Sequence, residues 1–403
     1  MHRTLTRRQS LALLLAGGVA GRAAAAAIRP ITRGPKFHWF GYYDKLQFDP
    51  TGRWVLGMEV DFEHRSPRPD DVIRLGMIDL NDNDRWTELG STRAWNWQQG
   101  CMLQWVPGSA DEVIWNDRRD GRFVSILKNV RSGKERVIPA PIYTLSPDGK
   151  SAIYPDFRRL NDCRPGYGYA GLPDPNRDNL VPDDAGIWSL DIARGTSKLL
   201  IPFRQAEAIP YPPGYSKNAK HWFNHLLFNS DGSRFIFLHR WRGDGDSTFQ
   251  TRMFTANRDG RDLFVLDPHG RTSHFIWRDR THVLAWAWVP TRKEDRFYLY
   301  TDRTPDVEPV GPDVMTVNGH CTYLPGGKFI LNDTYPDANR NQNVYLYEIA
   351  TGRRVPLASL PAPKEYQGEW RCDTHPRYSP DGSKVVVDSA HAGGRQMYLI
   401  ELR

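Results

Sequence analysis

The stretch Arg371 to Arg403, RCDTHPRYSPDGSKVVVDSAHAGGRQMYLIELR, reads as strand, Asp-Gly turn, strand, loop, strand. Its pattern recurs backwards through the chain. Tyr378 precedes the turn at Asp381, Phe228 precedes Asp231-Gly232, Tyr323 precedes Gly326-Gly327, and Leu145 precedes Asp148-Gly149. Degenerate copies place Trp277 before Arg280, Trp105 before Gly108, and Phe48 before Thr51-Gly52. The seven copies lie roughly 40 to 80 residues apart, a period that marks propellers or solenoids.

Each repeat reads as four short strands, hence one propeller blade. Blade 1 spans about Tyr42 to Leu89, its first strand reading YYDKLQF, and blade 2 spans Gln99 to Ile138. Blade 3 starts at Tyr143 and carries an insertion from Asp156 to Asp184. Its Gly, Pro, Asn and Asp content predicts a long ordered loop. A second long connection, Arg204 to Trp222, precedes blade 4, and blades 5 to 7 follow. Blade 7 has only three strands before the chain stops, and an unpaired edge invites aggregation. Ile28 to Arg33 is expected to supply the fourth strand. The predicted fold is thus an all-β seven-bladed β-propeller, the ring closed by the N-terminal strand of the mature chain. With 12% aromatic residues, 34 Gly and 30 Pro in 403 residues, composition suits a turn-rich β-domain.

Arg7-Arg8 precedes an apolar run from Leu11 to about Ala20, and Ala23 to Ala27 offer small-residue cleavage sites. This reads as a twin-arginine-type signal peptide over residues 1–27, with an ordinary secretory signal or an uncleaved anchor as the alternatives. Ten or so apolar residues are too few for a stable membrane-spanning helix. A periplasmic or secreted protein with no stable membrane anchor is expected. Removing the four leader arginines from the formal charge of +7 leaves +3, so no nucleic-acid partner is expected. The cysteines are Cys101, Cys163, Cys321 and Cys372. Cys321 and Cys372, on first strands of neighbouring repeats, are the pair to test for a disulfide. Four small buried apolar side chains are the other reading.

Six residues upstream of each turn stand Lys45, Met102, Ile142, His225, His274, His320 and His375. Equal offsets on innermost strands imply equal heights, and strand alternation would send all of them to one surface. Four imidazoles in seven positions, from a chain with 12 histidines, point to a divalent metal such as Mn or Zn. A structural role, the ring bonding the next blade, is the alternative.

The second strand of blade 4 ends in Leu238-His239-Arg240-Trp241-Arg242. His239 is the candidate base, Arg240 and Arg242 the candidate carboxylate holders. The preceding connection adds Tyr215 as candidate acid, with His221, Lys217 and Lys220. Arg164 and Tyr167 of the insertion and Tyr43 of blade 1 are further candidate substrate contacts. Arg158, Arg159 and Tyr169 are also within the insertion. These residue types fit β-elimination from a uronate: a cation neutralises the carboxylate, a base takes the α-proton, and an acid protonates the leaving oxygen. Hydrolysis would need two carboxyls at a set separation. Asp44, Asp117, Asp156, Asp333 and Asp388, after strands at blade tops, leave that open.

Through these residues the sequence resembles the oligogalacturonate lyases, seven-bladed propellers with TolB-like repeats, mainly over blades 4 to 7. In that family a His within a Phe-x-His-Glu run is the proposed base, and FIFLHRW puts His239 there with Arg240 replacing the Glu. The family binds manganese through three His and a Gln. His274 in SHFIW and His320 in GHC match two ligands, and His375 from blade 7 would complete the set, whereas the family's ligands cluster near blade 6. Similar propellers serve as ulvan lyases, where His, Tyr and Arg act on a uronate. The resemblance implies an exported lyase for an acidic oligosaccharide. A non-catalytic propeller binding a glycan or protein, and a glycoside hydrolase, are the alternatives.

Overall fold

The local turn chemistry explains why the chain breaks into hairpins. In the last repeat the Asp381 carboxylate accepts from the Ser379 hydroxyl at 2.5 Å and from the Ser383 amide at 3.0 Å. Gly382 then takes φ +71°, where a side chain would strain the backbone. Asp148 and Asp231 make equivalent bonds with Ser146 and Ser233. Each such turn joins the first two strands of a blade.

The computed structural model describes residues 27–211 and 218–402. The leader through residue 26, Tyr215 and Lys217 lie outside the described residues. The described strands form seven sheets, each four-stranded and antiparallel, arranged as a seven-bladed β-propeller. Blade 2 falls within its expected span, as the strands Gln104–Trp105, Glu112–Arg119, Arg122–Asn129 and Glu135–Ile138. Blade 7 comprises Arg377–Tyr378, Lys384–Ser389 and Gln396–Glu401, and its fourth strand is Ile28–Pro30, with Ile28 opposite Ile400. Apolar faces pack between blades. Phe235 and Phe237 join the blade 3 cluster, while Ile236 and Leu238 join that of blade 5. Strand alternation thus sends odd and even residues of one strand into different inter-blade cores.

Three segments differ from expectation. The innermost strand of blade 1 is Phe37–Trp39, with Phe48 bridging to Val55 further along. The predicted strand at Tyr42 instead leaves the sheet, because Tyr42, Tyr43 and Asp44 find partners on other blades. The blade 3 insertion contains a helix, Phe157–Cys163, capped by Asp156, whose side chain accepts from the Arg158 amide at 3.0 Å. Phe157, Leu160 and Cys163 face the core. The second connection holds a helical turn, Phe203–Glu207, and the first strand of blade 4 begins at Ala219. Lys220 and His221 therefore sit on a strand. All four cysteines are buried free thiols, so the Cys321–Cys372 disulfide is absent and the small-apolar reading holds. No helix among the described residues is long and apolar enough to cross a membrane.

Candidate functional site

The excursion of blade 1 carries Tyr42 to the propeller axis. Its ring lies 4.8 Å from His225 of blade 4, 6.3 Å from His320 of blade 6 and 5.2 Å from His375 of blade 7. A side chain within reach of blades 4, 6 and 7 can only sit at the centre. The histidines arrive there from strand entries. His320 and His375 precede the innermost strands Thr322–Tyr323 and Arg377–Tyr378, and His274 precedes Phe275–Trp277. His225 sits on a bulge between Asn224 and Leu227. His225 and His375 adopt φ of +52° and +39°, left-handed values that break the alternation expected of a strand. The shared register still sets a common height.

Three of the four histidines form a chain. Ring centroids of His274 and His320, and of His320 and His375, are 4.2 Å apart. His225 stands off, stacked on Phe275 at 4.0 Å, with Nε2 3.4 Å from Asp44. Asp333 orders the chain. It accepts from the His320 amide at 2.6 Å and Nδ1 at 3.0 Å, and from the Thr374 hydroxyl at 2.5 Å and the His375 amide at 3.2 Å. Gly319 permits this approach: a Cβ there would lie 1.9 Å from the Asp333 carbonyl oxygen. With its Nδ1 held by Asp333, His320 leaves Nε2 without a hydrogen-bond partner; burial opposes the charged ring, but the Asp333 carboxylate outweighs it and raises the His320 pKa. Asn318 Oδ1, 3.0 Å from His274 Nδ1, orients that ring in the same sense.

The Nε2 atoms of His320 and His375 are buried without a hydrogen-bond partner, that of His375 lying 3.9 Å from Asp373. With an Asp373 carboxylate oxygen, the nearest donor atoms of these three residues all lie within 4.8 Å of one another. Two imidazoles and a carboxylate, with Asp333 as an outer support, fit a divalent transition metal.

Beside this donor set lie cations without anions. Arg240 is buried, and its Nε and Nη1 have no partner. Burial, with Arg164 nearby, pushes its guanidinium down to about 9. Arg164 also has an orphan Nη1, and both guanidinium groups flank the Phe249 ring, at 4.7 and 4.8 Å. Arg164 further lies 4.2 Å over the Tyr167 ring, and Arg371 Nη2 donates to the Tyr167 hydroxyl at 2.8 Å. Burial would raise the Tyr167 phenol, but Arg371 and Arg164 outweigh it and bring it down to about 7. Arg371 is itself held by Asp373 at 2.7 Å. Burial also opposes the Asp44 carboxylate, yet Lys45 at 2.8 Å and His225 hold it at about 2.

The other expected residues lie elsewhere. His239 shares its side of the strand with Phe237, which faces the blade 3 core, and is fully buried. Arg252 Nη2 donates to His239 Nδ1 at 3.2 Å, so His239 carries its proton on Nε2 and donates to His221 Nδ1 at 2.8 Å. Both of its nitrogens are engaged, and burial drives its pKa well below the ordinary value. His221, lowered to about 3 by burial, lies beneath the same layer. This geometry differs from a channel-facing base because one residue of strand parity separates His239 from Arg240. Arg242 is exposed and donates to the Cys163 carbonyl at 3.1 Å. Lys220 is bound to Asp162 and, at 2.8 Å, to the Arg177 carbonyl. Tyr43 donates to the Phe275 carbonyl at 2.8 Å and accepts from its amide at 3.1 Å, which makes it part of the wall. Arg158 pairs with Asp156, Arg159 with Asp174, and Tyr169 stacks on Phe157 at 4.3 Å.

Sequence reasoning passed over Arg371, Asp373 and Tyr42. A signal for Asp373 was present: in Asp373-Thr374-His375 a carboxylate stands two residues from an expected ligand. For Tyr42 the only hint was the run GYYDK.

No protein-family model matches the chain, and no curated protein matches it. Solved structures do. An oligogalacturonate lyase in complex with manganese superposes with a TM-score of 0.68 at 17% identity, covering 94% of both chains. An oligogalacturonate lyase from Vibrio parahaemolyticus gives 0.67 at 13% identity over 95% of both. The tricorn protease gives 0.50 at 10% identity, covering 92% of this chain and 34% of that one. At such identities the likeness establishes the propeller fold.

Proposed function

We propose that this protein is a lyase that cleaves uronate-containing oligosaccharides by β-elimination. The observation that carries the reading is Arg240. A buried guanidinium with two unpaired nitrogens is costly unless an anion completes it, and a uronate carboxylate has the matching geometry. The likeness to oligogalacturonate lyases favours pectin-like substrates.

In this reading Arg240, with Arg164 beside it, binds the C5 carboxylate and makes the C5 proton more acidic. A divalent cation (Mn or Zn) held by His320, His375 and Asp373, with His274 at its edge, would stabilise the negative charge that develops on that carboxylate. Tyr167 takes the proton, since a phenol near 7 is substantially ionised at neutral pH. The C5–H electrons form the C4=C5 double bond, the C4–O bond breaks, and the leaving oxygen gains a proton. Tyr215, or a water, is the proposed donor. His225, paired with Asp44, belongs to the wall of the site, and His239, His221 and Arg252 to its support.

Hydrolysis is less well served. Asp44, Asp117, Asp156, Asp373 and Asp388 are each paired with a cation, and Asp333 with His320. No carboxyl among these is set up as a protonated acid.

The test is incubation of purified protein plus Mn²⁺ with oligogalacturonate and other uronate oligomers, following near-ultraviolet absorbance and reducing ends together. Absorbance from the conjugated double bond, lost in Arg240→Gln, is expected. Reducing ends without absorbance would mean hydrolysis, and neither signal would mean a binding module. We also propose export through the twin-arginine leader. Replacing Arg7 and Arg8 with lysines should retain the protein in the cytoplasm, and unchanged export would refute that route.

A further inference from the structure

A groove of about 520 Å³ leaves the axis between the tops of blades 4 and 5. That volume is in the range of sites that enclose small ligands, about 300–1,000 Å³. Its inner end is Arg240 and Arg164, with Phe249 between them. Ser273 and Asn318 form the wall next to His274, which Asn318 contacts. At the outer end stand the half-buried Trp286 and an ion pair of the exposed Arg271 with Asp295.

The chemistry changes along the groove. The inner end carries uncompensated positive charge. The outer end is balanced, and there Trp286 lines the groove together with a paired guanidinium and carboxylate. Sugar rings present C–H faces to aromatic side chains and hydroxyls to planar charged pairs, so the outer end suits a sugar ring with no further demand for an anion. The groove is continuous with the place where Arg240 would hold the reacting carboxylate.

We infer that this groove is a second sugar subsite, which holds the residue adjoining the reacting uronate, so that the substrate is an oligomer extending over blades 4 and 5. The inference rests on the lyase reading. The adjoining ring packs against Trp286, and its hydroxyls bridge Arg271 and Asp295.

The experiment compares kcat/KM on a disaccharide uronate and on a single uronate ring carrying a small alkoxy leaving group at C4, for wild type, Arg271→Ala and Asp295→Ala. Both substitutions are at the surface end of the groove. Wild-type kcat/KM should be higher on the disaccharide, whose second ring fills the groove. Arg271→Ala and Asp295→Ala should each reduce the disaccharide-to-monosaccharide ratio about tenfold, the scale of a charge-assisted hydrogen-bond pair. A wild-type ratio near one, or equal losses on both substrates, would overturn the subsite. If wild type cleaves no uronate at all, the lyase reading fails by itself. Calorimetric titration with the disaccharide then decides the subsite: binding weakened by Arg271→Ala supports it, and absent or unchanged binding refutes it.

Discussion

Replacing Asp333 with asparagine tests how the centre is held. The carboxylate serves four donors from two blades: the amide and ring of His320, the Thr374 hydroxyl and the His375 amide. Asparagine keeps one acceptor oxygen and puts an NH₂ where the other stood. The Thr374 hydroxyl can rotate and the His320 ring can change tautomer, but the two backbone amides can only donate. Either orientation of the new amide therefore leaves one of them facing an NH₂. A buried unsatisfied amide costs about 1–3 kcal/mol. Loss of the buried charged partner of His320 takes the total toward about 3–5 kcal/mol. Urea unfolding of chelator-treated protein should show a lower midpoint at unchanged slope. Metal affinity, read by competition with a chromophoric chelator, should fall about 10- to 100-fold because Asp333 orients a ligand ring. A variant with wild-type midpoint and affinity would refute the assignment of Asp333 as the organiser of both histidines.

Two further outcomes follow from burial and charge. In a spectrophotometric titration one phenol should ionise near pH 7 and disappear in Tyr167→Phe, with lyase rate rising as that phenolate forms. A first phenolate only near the ordinary pH of about 10 would contradict the pull of Arg371 and Arg164. Burial raises Asp267 above its ordinary 3.8, and a hydrogen bond from Thr272 only partly offsets that. Its stabilising contribution is present in acid and lost as pH rises through the raised folded value. Asp267→Asn should therefore raise the melting temperature at pH 7 by about 2–4 °C and change little at pH 4. A lower melting temperature at pH 7 would sink that account.

The blade pattern was legible because its causes are local. A tight turn, in most copies with Asp or Gly, and a large apolar or aromatic side chain three residues before it recur along the chain. Register counting also picked out His274, His320 and His375, whose rings lie in one chain, because repeats of equal geometry place equal offsets close together. The reading failed where a neighbour from another blade set the outcome. Tyr42 looked like the start of a strand, yet its partners His225, His320 and His375 lie about 180 to 330 positions away. His239 looked like a base at a strand end, but Arg252 on the adjoining strand fixes its proton and takes its free nitrogen.

The chain by itself determines the count of blades, the position of each turn and the height of the histidine ring. Those follow from backbone preferences and from the two-residue period of strands. Which neighbouring blade each strand face meets, which carboxylate completes a histidine, and which arginine is left without an anion were decided by tertiary structure. His239 and Arg240 are adjacent in sequence but enter different environments. Asp333 orders His320 and His375 from the end of a strand 42 residues before His375. Burial and pairing across blades set charge and proton position, and neither is encoded in any local pattern.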